Sequence, residues 1–141
     1  MKNIVPTIIT ALFVIITLSS FASPKNNPLK NLPSLNIINT YLESTTAGNN
    51  TLDKYLFAED FEYRNGMHKK GYTKTEYMRF LKKNKGLKYD CTTTYEILNE
   101  SGEVCMAKAT MKFTNFTRID YITLTHNSDG WKVSKVITTY P

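Results

Sequence analysis

Asp120 and Lys135 stand where acid–base chemistry would have to begin. Each interrupts a strand-like alternation, Asp120 between Ile119 and Tyr121 and Lys135 between Val133 and Ile137. A four-residue loop, Asn127-Ser128-Asp129-Gly130, would pair Asp120 with Ile137 and Ile122 with Lys135. The two charges then stand diagonally on one face. If that face is closed to water, Asp120 can act as a general base, with Tyr121 or Lys135 assisting. If it is open, the charges form a surface ion pair worth little. Tyr63, Tyr89, Tyr95 and Tyr121 offer phenols that can hydrogen-bond a ligand while their rings pack, or they are plain core.

The remaining reactive side chains are few. Taking Glu100-Ser101-Gly102 as a three-residue hairpin loop pairs Asn99 with Glu103 and Ile97 with Cys105. Tyr95 then faces Ala107, Thr93 faces Ala109 and Cys91 faces Met111, all on one face. In that register Cys91 and Cys105 lie about 20 Å apart along the sheet, against the roughly 7 Å a disulfide tolerates. Both are expected as reduced, buried thiols. His68 sits on an expected turn and His126 at a hairpin mouth, neither with ligand spacing around it, so no metal site is expected. No cofactor motif and no Gly-x-Ser-x-Gly nucleophile turn is present. Asn115-Phe116-Thr117 matches a glycosylation acceptor, a tripeptide common by chance.

The whole chain has 141 residues, a net charge of +6 and 41% hydrophobic content, enough for one core. Basic residues crowd into Lys69 to Lys88, where eight stand against a single acid, Glu76. A nucleic-acid or anionic-membrane partner would use such a stretch. Lys82, Lys83 and Lys85 also suit a helix C-terminus, where they need no partner. Met1 to Ala22 has a basic start, an apolar run over Ile4 to Leu18 and small residues before Ala22, the three parts of a secretory signal. The expected division is a signal peptide over 1–22, a flexible leader over 23–33 and one domain over 34–141. Export removes nucleic acid from the partners, and cleavage removes any membrane anchor.

The elements that position these residues follow from spacing. Ser34 opens a helix burying Leu35, Ile38, Tyr41, Leu42 and Thr45, and Gly48 ends it. Thr51 caps a short second helix with Leu52, Tyr55 and Leu56. Asn65-Gly66 predicts a tight hairpin between Phe61–Arg64 and Met67–Lys70. Thr73 and Glu76 form a capping box for a helix to about Lys85, buried through Tyr77, Met78, Phe80 and Leu81. From Leu87 the pattern is strand, in two hairpins, with Trp131 directed into the core. The class is α+β.

Tyr41-Leu42, Gly71-Tyr72-Thr73-Lys74, Phe116 to Leu124 with Asp120-Tyr121, and Gly130-Trp131-Lys132-Val133-Ser134-Lys135-Val136 resemble the nuclear transport factor 2-like superfamily. The likeness is greatest to exported bacterial members labelled SnoaL-like or putative lumazine-binding, and it covers Asn36 to Tyr140. The resemblance implies a cone-shaped, curved antiparallel sheet on N-terminal helices, with an open pocket. Because the superfamily hosts isomerases, dehydratases and members without activity, it leaves function open. The expectation is an exported small-ligand-binding or accessory domain. The alternatives are a small isomerase or dehydratase with a pocket Asp as base, or a module that pairs sheet to sheet as a homodimer.

Overall fold

A computed structural model describes residues 26–68 and 70–141. The expected signal peptide lies outside them. Asn26 to Pro33, expected as a flexible leader, instead packs on the domain, because Leu29 is buried in the core with Leu32 against it. A turn at Asn27–Lys30 and a bond from the Asn27 side-chain amide to the Asp129 carbonyl (3.0 Å) hold it there.

Helix α1 spans Ser34–Ala47 and α2 Asp53–Leu56, followed by strands β1 (Phe57–Asn65) and β2 (Gly71–Thr73). Helix α3 (Lys74–Lys83) leads to β3 (Thr92–Ser101), β4 (Val104–Lys112), β5 (Thr117–Asn127) and β6 (Gly130–Thr139). The six strands form one curved, unclosed sheet in the order β2-β1-β6-β5-β4-β3. All neighbours are antiparallel except β1 and β6, which run parallel because the helix and the whole β3–β5 meander separate them in sequence. The class and architecture are those the sequence implies.

α1 forms through its apolar spacing. Its buried face is Ile37, Ile38, Tyr41, Leu42 and Thr45, while Leu35 is exposed. Pro33, not Ser34, is the N-cap, and Gly48 closes the helix at φ 65°. Thr51 does not cap α2; Leu52 takes that position without a side-chain bond. The capping box of α3 is present, Thr73 Oγ1 accepting from the Glu76 amide and Glu76 Oε1 from the Thr73 amide. α3 buries Tyr77 and Leu81, leaving Phe80 half-exposed.

Hairpin registers depart from expectation at their turns. β1 meets β2 through Glu62↔Thr73 and Arg64↔Gly71, so the loop after Asn65 is longer than a two-residue turn. β3 and β4 close tightly on Gly102-Glu103, pairing Ser101 with Val104 and Glu100 with Cys105. Ile97 therefore faces Ala107, Tyr95 faces Ala109 and Thr93 faces Met111, a two-residue shift that keeps the same face inward. A bulge between Ile97 and Asn99 reconciles the short turn with that face. Cys91 precedes the strand, and both cysteines are free, Cys105 fully buried and Cys91 half-buried.

The last hairpin turns on Ser128-Asp129, pairing Asn127 with Gly130 and Asp120 with Thr138. A bulge between Thr123 and Leu124 pairs Thr123 with Lys135. Lys135 and Tyr121 thus lie on the face opposite Asp120, and the expected diagonal charge pair does not form. Trp131 packs at the edge of the core, half-buried, its ring 5.1 Å from that of His126.

Candidate functional site

The centre of the site is a buried ionic cluster. Arg118 and Asp120 are two residues apart on β5, so both point to the face covered by the helices. Asp120 is fully buried, and the Arg118 side chain is 10% exposed. Arg118 Nε donates to Asp120 Oδ1 (2.9 Å) and Nη2 to Oδ2 (3.0 Å), a bidentate pair. Thr138 Oγ1 donates to Oδ1 (2.6 Å) and Tyr41 Oη to Oδ2 (2.8 Å). Each carboxylate oxygen therefore accepts two hydrogen bonds, which satisfies a charge placed out of water.

Titration follows from this packing. Burial opposes the Arg118 charge, but Asp120 beside it outweighs burial and holds the guanidinium above its usual range. Burial, reinforced by Asp120, pushes the Tyr41 phenol well above its ordinary value. Burial likewise raises Tyr77, whose hydroxyl lies 3.4 Å from that of Tyr41. It raises Tyr63 too. All three remain neutral phenols across the physiological range.

Beside this cluster opens a cavity of about 530 Å³, within the size of small-molecule sites. Arg118 lines it and Asp120 does not. Its walls are aromatic: Tyr63 of β1, Tyr72 of β2, Tyr77 and Phe80 of α3, Tyr89 and Tyr140. Tyr63 stacks on Tyr77 with centroids 4.7 Å apart and planes within 15°. Asn65, His68, Glu76 and Arg79 add polar atoms. Tyr89 reaches the wall because its amide donates to the Thr46 carbonyl (2.7 Å) at the end of α1.

A family model described as "Putative lumazine-binding" matches residues 34–137. The chain belongs to that family. Among solved structures, this lumazine-binding-family chain is similar to a nuclear transport factor 2-like protein of unknown function from Silicibacter pomeroyi. That match has 10% identity over 76% of this chain and 92% of the other, with a TM-score of 0.61. A nuclear transport factor 2-like protein from Cytophaga hutchinsonii is 13% identical, with 76% and 94% covered and a TM-score of 0.63. A ketosteroid isomerase-like protein from Erwinia carotovora atroseptica is 11% identical, with 82% and 98% covered and a TM-score of 0.62. At these identities the likeness is one of fold, and the fold is nuclear transport factor 2-like. A search of curated proteins finds no match.

Of the residues singled out in the sequence, Tyr63 and Tyr89 line the cavity and Asp120 lies behind its Arg118 wall. Tyr121 and Lys135 face away from all three. Tyr95 borders a separate, shallow depression with Glu96 and Lys108. Sequence reasoning missed Arg118, Tyr41, Tyr77 and Tyr140. Arg118 carried a signal: opposite charges at i and i+2 on one strand share a face. The tyrosines carried none, because their convergence depends on how α1 and α3 cross the sheet. Among the described residues no cluster of three metal-ligating side chains occurs.

Proposed function

We propose that the domain binds a small molecule in the aromatic cavity between α3, β1 and the start of β5, and that it acts as a binding or accessory protein outside the cytoplasm. One observation carries the reading: a preformed cavity of about 530 Å³ walled by six aromatic side chains, with the Arg118 guanidinium in its lining. The family's description points to a small-molecule ligand as well. Binding is favoured over catalysis by Asp120 because both its oxygens are already saturated by Arg118, Tyr41 and Thr138. A base needs a free lone pair within reach of substrate. The export part of the reading rests on the composition of Met1 to Ala22, and the mature chain would begin at Ser23.

Native mass spectrometry of protein purified from its own cell envelope tests both parts. The expected result is a mass beginning at Ser23 with a small molecule retained, and loss of that molecule in Tyr72→Ala and Phe80→Ala, whose rings are partly exposed. A chain that keeps Met1 overturns export. Protein that carries no small molecule, and whose melting temperature no aromatic compound shifts, overturns the binding reading.

A further inference from the structure

Arg118 has five N–H donors and spends only two on Asp120, one from Nε and one from Nη2. Among the described residues its Nη1 has no hydrogen-bond partner, yet it is not a buried orphan atom. The side chain is nine-tenths buried, and what it lines is the cavity. Its unspent edge is therefore a fork of donors, fixed in place by Asp120, presented to whatever enters. Asp120 neutralises the cluster but leaves no acceptor on the cavity side.

The wall beside it adds one further cation, Arg79, and one acid, Glu76. α3, which supplies Tyr77, Arg79 and Phe80, belongs to the stretch Lys69 to Lys88, with eight basic residues and one acid. That acid, Glu76, lies 3.8 Å from Lys70 and also serves the capping box. A basic neighbourhood raises the local concentration of anions and a guanidinium fork matches a carboxylate in geometry. Tyr63, held flat by stacking on the buried Tyr77, provides a face for a flat apolar body.

From these we infer that the cavity selects a planar aromatic carboxylate, its carboxylate on the free edge of Arg118 and its ring against the tyrosine wall. The inference rests on the binding reading above and names the ligand class for that site. It also gives Arg79 a role beyond solvation.

The test compares 2-naphthoate with its neutral isostere 2-naphthamide, using the full mature chain, calorimetry and NMR of the Arg118 Nε–H and tyrosine ring signals. Naphthoate should bind about tenfold tighter or more, since a charge-assisted bond replaces a neutral one. Arg118→Gln alone strands Asp120 as a buried charge, so the informative variant is Arg118→Gln/Asp120→Asn, which removes both charges together. It should reduce the preference to the smaller part that Arg79 supplies, while naphthamide still binds. Arg79→Gln, on the exposed part of the wall, should weaken naphthoate and leave naphthamide unchanged. Equal binding of the two compounds, with tyrosine signals shifted by both, overturns the carboxylate inference and leaves the pocket reading standing. If neither compound shifts a cavity signal, the carboxylate inference fails and the pocket reading loses its support.

Discussion

Asp120 behaves as a structural keystone because its four donors come from three different elements, Arg118 beside it on β5, Thr138 on β6 and Tyr41 on α1. Replacing it with Asn leaves the Arg118 guanidinium buried without its countercharge. Breaking one partner of such a pair costs about 3–5 kcal/mol. Asp120→Asn is therefore expected to lower the urea midpoint far more than Thr138→Val, which removes one hydrogen bond worth about 1 kcal/mol. Similar midpoints for the two would show that the cluster is not buried in solution. Asp53 gives a pH signature. It is buried at the start of α2 and accepts from Ser44 Oγ (2.6 Å) and Asn50 Nδ2 (3.3 Å). Burial still raises its carboxyl above the usual value, the two bonds opposing. A folded value above the unfolded one means that the folded state holds the proton more tightly. Stability from this group is present in full below the unfolded value, near 3.9, and is lost as pH rises through the folded value. Relative to Asp53→Asn, the wild type should gain stability as pH falls from about 7 to 4. Urea midpoints of the pair across that range check the sign.

At the scale of elements, the cavity depends on where α1 ends. Gly48 adopts φ 65°, and its carbonyl accepts from the Gly86 amide (3.0 Å), tying α1 to the loop that carries Tyr89. A Cβ on Gly48 would lie 2.5 Å from Gly86 N and 2.7 Å from Leu87 N, all backbone. The left-handed conformation alone costs an L residue about 1–2 kcal/mol. Gly48→Ala should lower the melting temperature by about 4–8 °C for each kcal/mol lost and weaken ligand binding through the displaced Tyr89. Gly86→Ala, also at positive φ but with open space around its Cβ, should cost only the conformational part. Equal losses in the two would mean that the α1 contact is not what fixes the loop.

At the scale of the whole molecule, no other element among the described residues covers one side of the sheet. Val104, Met106 and Tyr121 point away from the helices and are 45%, 45% and 38% exposed. On the other face, Tyr95 and Ile97 of the edge strand β3 reach beyond the helices and are half-exposed. We propose that the Val104, Met106 and Tyr121 face pairs two copies sheet to sheet. Light scattering is expected to give twice the mass of the mature chain, falling to one chain mass in Met106→Glu/Tyr121→Glu. A monomer at all concentrations in the wild type removes the proposal.

Local sequence determined the elements: the three-four spacing of Ile38, Tyr41, Leu42 and Thr45 made α1, Thr73 and Glu76 started α3, and alternation made the strands. These rest on interactions within a few residues, which a sequence displays directly. Alternation also put Asp120 on the opposite face from Tyr121, a matter of strand geometry alone. Register escaped it, because each turn segment can be closed by loops of different length and a bulge farther along the strand restores the facing. In the last hairpin the inward face chose, taking Val136 rather than Lys135 opposite Ile122. That choice moved Lys135 away from Asp120 and brought Thr138 to it. The aromatic cavity was beyond sequence reading for a related reason: Tyr63, Tyr77, Tyr89 and Tyr140 lie far apart in the chain, and only the packing of α3 and the loop after it against the sheet brings them together.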